Sequence, residues 1–491
     1  GDTHNISVDQ IIFNRNHKKV AVNNLTVKPF LSDNSGNRFT IDAPGIVFTE
    51  FDINKALEEN YFSFDNINID NPSVRIAMND SVREDKIDFL QTLDLYPYTE
   101  PYVDRIEVGN LSLNNAAINF NWFRKQLIDR KINLNFGDIV IAENQPPANL
   151  LNSKEFQVIT THLKTADKKG YYEFAADSFI YNSAKHNILF KDLSINPLLP
   201  GDAMPREKSH QTDVVNAQID FVELKGIDEK RWLKENVLDA DALTIGSSDV
   251  IIFRNKRYPF NHSQRPPWPQ KLIYQISQPF VFDSVKLMPS QLKYSELMTI
   301  SNIPGYVNFN SLQFKTGKIS NIAEIIRQNK NFRIKASAEI FDQAKLSAVI
   351  NFDMASGNFH HTVSGSLGSM PLTAVNVMAE KSAPLSVESG TVDRFEFNMT
   401  LDENRSEGNL YFGYNDFKIS MLDYSSDEVR KSKFATFWAN RMILNSKNPK
   451  DDELLPVSIS YERDVERSII NYWWKSIYSG AKKVIGIETD E

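Results

Sequence analysis

The chain has 491 residues, no cysteine and a formal net charge of −8 at pH 7. The length predicts roughly two to four domains or one long one. The missing thiols exclude disulfides, thiolate metal sites and cysteine nucleophiles, and the acidic balance without a dominant basic face argues against a nucleic-acid partner. No apolar run reaches about 18 residues, so the sequence contains no candidate membrane-spanning helix.

Most segments alternate apolar and polar residues with a period of two, which is typical of strands in a sheet with one apolar face. The clearest examples are 132–136, 332–340, 348–354 and 395–401. Short turns rich in Asn, Asp and Gly separate such segments. The predicted fold class is therefore mostly β, with one or more elongated, curved antiparallel sheets, a few short helices and two longer C-terminal helices.

Six segments instead have the patterns of helices: 53–60, 227–236, 321–329, 371–380, 426–445 and 464–485. Asn321 and Ser425, each followed by Glu three residues later, have the spacing of a capping box. Pro371 is of the type favoured in a first helical turn. Two proline-rich stretches, 145–147 and 265–269, are expected to be linkers or loops between strands.

Four blocks of the segment 1–160 recur in the same order further along the chain, at offsets of 168 (193 − 25) to 179 (285 − 106). The pairs are 20–29 with 188–197, 57–60 with 233–236, 73–76 with 249–252, and 103–108 with 282–287. Chance alternation explains one such pair more readily than four in order. The sequence therefore predicts a tandem duplication, with 1–160 as the first β repeat, 161–315 as the second, and 316–491 as a different C-terminal β unit with helices.

A duplicated unit with open sheet edges can stack end to end, because each copy covers the edge strand of its neighbour. On the order of 20 strands at ~4.8 Å spacing give a sheet up to ~100 Å long. If such a sheet curls along its length, it encloses an apolar groove.

No residue pattern of a catalytic or metal site stands out. His360 and His361 are adjacent in an alternating segment, so we expect their side chains on opposite faces and not at one metal. The sequence has no His-x-x-x-His, no Gly-x-Ser-x-Gly and no phosphate-binding glycine loop. We therefore predict no catalytic, metal-binding or cofactor-binding residues, and expect that the protein is not an enzyme.

The predicted last helix carries a broad apolar stripe with its lysines to one side. The stripe consists of Ile469, Ile470, Trp473, Trp474, Ile477, Tyr478 and Ala481. Such a helix either closes the open end of the sheet with its tryptophans in the core, or plugs a groove or lies in a membrane interface. The residues predicted to contact lipid or membrane are Ile470, Trp473, Trp474, Ile477 and Tyr478, with Phe395, Phe397 and Phe412 on the strands.

The C-terminal unit contains the segments GTVDRFEF at 390–397 and EGNLYFGYNDFKI at 407–419. With the preceding stretch 365–372 and the tail 470–480, they resemble the C-terminal region of the AsmA-like family of Gram-negative envelope proteins, which are related to TamB and YhdP. The resemblance covers about 330–485 and indicates an uncharacterised branch of that family.

The resemblance implies a periplasmic protein of outer-membrane homeostasis, associated with the inner membrane through an N-terminal anchor absent from this chain. We therefore expect a protein that binds or conducts phospholipid or another acyl lipid in an apolar groove, without a cofactor or nucleic acid. One alternative is an interaction protein with a filled core that docks an envelope assembly partner. A second alternative is an enzyme on envelope polysaccharide that uses carboxylates from distant strands.

Overall fold

The computed structural model describes residues 4–29, 38–77, 96–122, 125–143, 153–424, 430–432, 445–449 and 453–486. The fold is mostly β, as the alternating sequence predicts, and the described residues contain 25 strands. The first eleven strands are β1 His4–Ser7, β2 Gln10–Asn14, β3 Lys19–Pro29, β4 Arg38–Thr49, β5 Tyr61–Asp70, β6 Ser73–Ala77, β7 Arg105–Trp122, β8 Lys125–Ala142, β9 Ser153–Ala166, β10 Tyr172–Asn182 and β11 Asn187–Pro197.

The remaining strands are β12 Asp213–Lys225, β13 Leu238–Ile245, β14 Ser248–Asn255, β15 Phe280–Leu297, β16 Gly305–Thr316, β17 Ile319–Ser320, β18 Asn331–Ile340, β19 Ala344–Asp353, β20 His361–Leu367, β21 Met370–Pro371, β22 Leu385–Leu401, β23 Arg405–Asp423, β24 Arg430–Ser432 and β25 Val457–Glu462. The described helices are α1 Ile53–Glu58, α2 Tyr96–Thr99, α3 Ala203–Lys208, α4 Glu229–Glu235, α5 Pro269–Tyr274, α6 Ala323–Gln328, α7 Asn376–Ser382 and α8 Ile469–Ile485.

The chain divides into two compact units. The first comprises 1–163 with 176–190, and the second comprises 164–175 with 191–491. The division near residue 163 lies within β9, so a strand contributes residues to both units. The three-part boundaries expected from the sequence, 1–160, 161–315 and 316–491, stay predictions.

The same strand topology occurs once in each unit. In the first, β4 pairs antiparallel with the interrupted strand β5–β6, which pairs in parallel with β7, and β7 pairs antiparallel with β8. In the second, β12, the interrupted strand β13–β14, β15 and β16 have the same pairings in the same order. The tandem duplication is therefore present in the fold.

The turns of the two copies also correspond. Asp52 caps the N-terminus of α1, and Asp228, at an offset of 176 (228 − 52), caps that of α4. Asn60 and Asn236, at the same offset, both have left-handed backbones, with φ of 49° and 55°. Asn is one of the few residue types that adopt this region at low cost, which explains why both copies place Asn where the chain leaves a short helix for a strand.

The parallel pairings are the part of the topology that alternation does not predict, because strand periodicity does not encode the direction of a neighbour. Parallel neighbours need a crossover longer than a hairpin turn. Residues 78–104 connect β6 to β7, and residues 256–279 connect β14 to β15. The proline-rich stretch 265–269 lies in the second connection and leads into α5, so it belongs to a crossover between strands.

Asn321 does not cap its helix. α6 begins at Ala323, and the Asn321 side chain accepts a hydrogen bond from the backbone N–H of Phe280 at 2.9 Å and donates one to the carbonyl of Ile276 at 2.8 Å. These two bonds tie the turn after β17 to the start of β15. The capping prediction was wrong because the side chain bonds to a distant segment instead of its own helix.

Two further helix predictions differ in detail. Pro371 belongs to β21, and a 3-10 turn at Leu372–Val375 precedes α7. The predicted helix 426–445, with its cap Ser425, lies mostly outside the described residues, and residues 430–432 form β24. The last helix is confirmed, although it begins at Ile469 and not near 464.

Left-handed residues interrupt the strands of the first unit. Asn24, Asn71, Asn115 and Asp138 have φ between 51° and 54°. A bulge of this kind shifts the alternation of faces by one residue. Apolar residues that are an odd number of positions apart, on either side of the bulge, then lie on the same face of the sheet. In β8, Leu134 and Phe136 precede Asp138 while Ile139 and Ile141 follow it, and all four belong to one apolar cluster.

Candidate functional site

One face of the C-terminal helix α8 packs against the sheet of the second unit. Ser468 caps its start by accepting a hydrogen bond from the backbone N–H of Asn471 at 3.4 Å, and Gly486 ends it with a left-handed backbone. The face that it buries against β23 and β25 consists of Tyr472, Ser476, Ser479, Gly480 and Val484. The helix thereby covers the apolar side of the C-terminal strands.

Small residues let α8 approach the strands closely. The hydroxyl oxygens of Ser406 on β23 and Ser476 on α8 are 2.7 Å apart, and both residues are fully buried. A Cβ atom on Gly480 would lie 3.2 Å from Cδ2 of Leu410 and 3.3 Å from Cγ1 of Ile459. The contact therefore has the close packing of a protein interior, with little room for an additional side-chain atom at Gly480.

His361 lies beneath this helix and is fully buried at the start of β20. Its Nδ1 lies 2.9 Å from the carbonyl oxygen of Phe359, and its Nε2 lies 3.0 Å from the indole nitrogen of Trp473. Because a carbonyl only accepts and an indole only donates, the ring is neutral with its proton on Nδ1. Burial lowers the pKa of His361 to about 4. His360 precedes the strand and is exposed, so the two histidines do not face one site.

Five of the eight predicted contact residues pack into the C-terminal core. Phe397 and Phe412 are buried, while Phe395, Trp473 and Ile477 are partly buried against the same cluster. The rings of Phe395 and Phe412 meet edge to face with centroids 5.1 Å apart. The structure thus brings these residues together as core contacts between strands and helix.

The other three form a stripe on the outer side of α8. Ile470 is 63% exposed and Trp474 is 58% exposed, and the Tyr478 ring stacks on Trp474 with centroids 5.8 Å apart. The ammonium groups of Lys475 and Lys482 each lie 5.6 Å from the Tyr478 centroid. Apolar side chains next to lysines are typical of a contact with a membrane interface, but this surface consists of only these three residues.

A larger apolar surface lies in the first unit, where cross-strand partners align into two rows across β2, β3, β4, β5, β7, β8 and β9. The first row is Phe13, Val20, Phe48, Ile67, Leu111, Phe136 and Phe156, and the second is Ile11, Val22, Ile46, Ile69, Leu113, Leu134 and Val158. We call these fourteen residues the apolar rows. Directly paired residues share one face of a sheet, so the rows form one continuous surface.

The opposite face is polar where it crosses β5, β7, β8 and β9. Between the apolar rows in sequence, Asn68 pairs with Ser112, Ser112 with Asn135, and Asn135 with Gln157. Side chains on this face bond to one another, as Asn135 does to Gln157 at 3.5 Å. Over these four strands the sheet therefore separates an amide-rich face from an aliphatic and aromatic one, whereas on β2, β3 and β4 the corresponding residues are Ile12, Ala21 and Val47.

The apolar rows are incompletely covered. Ile46 and Phe136 are buried, Ile11 and Phe13 are 66% and 43% exposed, and the other ten members are half-buried. A contiguous apolar surface of this kind marks a binding site more often than a scatter of single residues does. The alternation of 132–136 indicated one segment of this surface, but the rows depend on which strands pair, which the sequence alone does not show.

No protein-family model matches this chain, and no curated protein matches it significantly. Within the part of the chain that the structure describes, every helix is too short or too polar to cross a membrane.

Proposed function

We propose that the apolar rows bind the acyl chains of a lipid, and that this is the protein's function. The observation that supports the proposal is the continuous apolar face over seven strands, which is only partly covered in the first unit. The opposite face is polar over β5, β7, β8 and β9, which suits contact with water. Binding of this kind needs no catalytic group, because the sheet acts by shielding methylene groups from water.

The dimensions fit an acyl chain. Seven neighbouring strands at ~4.8 Å spacing span about 29 Å, whereas one leaflet of a bilayer's hydrocarbon core is about 15 Å deep. Each methylene group removed from water contributes ~0.8 kcal/mol. A chain of ten buried methylenes would thus gain about 8 kcal/mol before the entropy of ordering it is subtracted.

The second unit shows how such a face is closed when a protein element covers it. Ile350, Val363 and Met399 are direct cross-strand partners on β19, β20 and β22, and all three are buried in the cluster that α8 covers. In the first unit the described residues leave the apolar rows mostly half-buried, with Tyr96 of α2 packed against the cluster around Phe136, and a ligand would complete the cover that α8 gives in the second unit. Together with the AsmA-like resemblance, this contrast supports a periplasmic protein of outer-membrane homeostasis that binds or conducts phospholipid, anchored to the inner membrane.

A matched pair of variants tests the proposal. Ile67 and Asn68 are neighbours on β5, both half-buried, and they lie on the apolar and the polar face. Ile67→Lys places a charge in the middle of an apolar row and should reduce uptake of a fluorescent phospholipid at least tenfold. Asn68→Lys should leave uptake within about twofold of wild type.

Native mass spectrometry of the purified protein, followed by solvent extraction, gives the second readout. Stoichiometric phospholipid in wild type and in Asn68→Lys, with its loss in Ile67→Lys, is the expected result. A lipid-free mass together with no uptake by any of the three proteins would contradict lipid binding.

The second candidate function is an interaction protein whose apolar face docks an envelope partner. The filled core under α8 favours it, because that part of the chain buries its apolar face with its own side chains. This function predicts that Ile67→Lys abolishes assembly with a protein partner while no form of the chain carries lipid.

A further inference from the structure

The outer side of α8 carries three apolar residues that the packing of the helix leaves outside the core. We call Ile470, Trp474 and Tyr478 the outer stripe. Each of them lies two positions from Tyr472 or Ser476, which are buried in the same helix. Two positions correspond to about 200° around an α-helix, so the outer stripe lies opposite the face that packs on β23 and β25. Because close contacts fix the buried face, α8 holds the stripe in a defined place.

The charge of α8 is opposite in sign to that of the whole chain. The helix contains Lys475, Lys482 and Lys483 and no acidic residue, whereas the chain has a formal net charge of −8. Lys475 and Lys482 belong to the same surface as the stripe, because each ammonium group lies 5.6 Å from the centroid of Tyr478. The outer side of the helix therefore combines apolar and aromatic side chains with positive charge.

Two carboxylates in the turn that leads into α8 are paired with other cations. Asp464 forms an ion pair with Arg467 at 3.4 Å, and Glu466 forms one with Arg265 at 3.7 Å. Neither arginine belongs to the helix. These pairs leave the positive charge of the helix lysines available to an external partner.

The composition of this surface favours a membrane over a protein as its partner. Lysine is depleted at protein–protein interfaces, whereas helices that lie in a membrane interface combine lysine on their polar side with tryptophan and aliphatic residues on the other. Three apolar residues are too few for stable attachment by themselves. A small apolar contact holds a protein at a membrane when a second attraction, such as a basic patch, is added to it. The lysines around Tyr478 supply that second attraction.

We infer that the outer stripe and the lysines of α8 form a peripheral contact with an anionic lipid surface, with the helix axis parallel to that surface. The distance from Ile470 to Lys482 along the helix is about 18 Å at 1.5 Å per residue. The stripe residues enter the headgroup layer side by side, while the lysines are attracted to the lipid phosphates. The apolar rows take no part in this contact, so the inference stands whether or not they bind lipid.

Vesicle flotation with the full chain tests the contact. One set of vesicles contains phosphatidylglycerol and phosphatidylcholine in equal parts, and the other contains phosphatidylcholine alone. The expected result is binding to the anionic vesicles at low salt, with at least tenfold weaker binding to the neutral ones. Binding to the anionic vesicles should also fall at least tenfold at an ionic strength of about 1 M, where the Debye length is about 3 Å. Equal binding to both sets, or binding to neither, would overturn the inference.

Two isoleucines of nearly equal exposure give a matched pair for the apolar part of the contact. Ile470 is 63% exposed on the outer stripe, and Ile303 is 64% exposed in the turn between β15 and β16. Ile470→Ser should weaken binding to the anionic vesicles at least threefold, and Trp474→Ser should weaken it further. Ile303→Ser should leave binding unchanged. Wild-type binding by both stripe variants, with folding verified by circular dichroism, would contradict the site.

Two exposed helix lysines give the matched pair for charge. Lys475→Glu on α8 and Lys234→Glu on α4 change the net charge of the chain by the same amount. Lys475→Glu should weaken binding to the anionic vesicles at least fivefold, because it replaces an attraction at the lipid surface by a repulsion. Lys234→Glu should leave binding unchanged. Equal losses would mean that overall charge governs the attachment, which counts against a site on α8.

The variant Ile67→Lys separates this contact from acyl binding by the apolar rows. It should float with the anionic vesicles as the wild type does. If Ile67→Lys loses vesicle binding while Trp474→Ser keeps it, the apolar rows attach the chain to the membrane and the inference is wrong. A chain that binds neither set of vesicles but forms a dimer that Trp474→Ser dissociates would show that a second copy covers the stripe, which also overturns the inference.

Discussion

The indole N–H of Trp473 donates a hydrogen bond to Nε2 of His361 at 3.0 Å, joining α8 to β20 across the C-terminal core. His361 is fully buried, so this bond satisfies an acceptor that water does not reach. The next residue in the helix, Trp474, is 58% exposed. Two adjacent tryptophans thus have different roles, and the sequence motif that contains both does not distinguish them.

Trp473→Phe should destabilise the protein by roughly 1–3 kcal/mol, because it keeps an aromatic ring but leaves Nε2 of His361 buried without its donor. Trp474→Phe, the matched change one position later, should stay within about 0.5 kcal/mol of wild type because that indole is largely in solvent. Urea denaturation of both variants followed by circular dichroism measures the difference. Equal losses would show that the bond to His361 contributes nothing.

The same histidine should make stability depend on pH in the acid range. The folded-state pKa of His361 is about 4, below the ordinary value of 6.5, chiefly because the ring is buried. Between pH 4 and 6.5 the unfolded chain binds a proton at His361 that the folded protein does not bind. The contribution of His361 to stability is therefore fully present above about pH 6.5 and is lost as the pH drops toward 4. The slope attributable to this residue is at most about 1.4 kcal/mol per pH unit.

Denaturation midpoints between pH 4 and 8 test this expectation in His361→Gln, whose side chain still offers an acceptor to Trp473. The variant should have a flatter profile between pH 4 and 6.5 than wild type. His360→Gln, at the exposed neighbouring position, should reproduce the wild-type profile. Parallel curves for wild type and His361→Gln would rule out this residue as the source of acid sensitivity.

The alternation of apolar and polar residues predicted the strands because successive side chains of a strand lie on opposite faces of the sheet, whichever strands pair with it. The segments 332–340 and 348–354 became β18 and β19, paired in the register that joins Phe332 to Phe352. The repeat was also readable, and one of its blocks, 57–60 with its copy 233–236, ends in an Asn that has a left-handed backbone in both copies. Local sequence therefore determined the elements and the duplication.

The sequence pattern of a strand does not show which element covers its apolar face. Phe397 on its alternating strand has the same pattern as Ile67, yet Phe397 is buried and Ile67 is half-buried. Phe397 belongs to the core cluster that residues of α8 complete, and α8 is distant from Phe397 in the sequence and follows β25. The predicted lipid contacts on β22 and β23 stay predictions, whereas the apolar rows emerged only from the strand pairing.

Close packing of α8 gives a third prediction. Gly480→Leu places a side chain where a Cβ atom already lies 3.2 Å from Leu410, so the helix must shift away from β23 and β25. Overpacking of this kind costs roughly 1–3 kcal/mol. Lys475→Leu, an equally large residue at an exposed position of the same helix, should cost less than about 0.5 kcal/mol.

Thermal or urea unfolding measures both helix variants. The expected order of stability is wild type, then Lys475→Leu close to it, then Gly480→Leu well below. If Gly480→Leu matched wild type, the helix would have room to move and would not be fixed by contact with Leu410.

The left-handed residues within the strands give the last prediction. Asn24 in β3 has φ of 53°, and Asp192, its counterpart in β11 at an offset of 168 (192 − 24), has φ of 49°. Valine is β-branched and adopts this region poorly, so Asn24→Val and Asp192→Val should each cost about 1–2 kcal/mol. Asn24→Gly and Asp192→Gly should cost clearly less, since glycine adopts φ above zero without a steric penalty.

The four variants are compared by urea denaturation under one set of conditions. Because the two positions are equivalent in the repeated blocks, the difference between Val and Gly should have the same sign and a similar size at both. Asn24 also donates from Nδ2 to a carboxylate oxygen of Asp9 at 2.9 Å, so Asn24→Gly loses one exposed hydrogen bond that Asn24→Val loses as well. If a glycine variant were less stable than its valine counterpart, Asn24 and Asp192 would not stabilise the protein by adopting the left-handed backbone conformation.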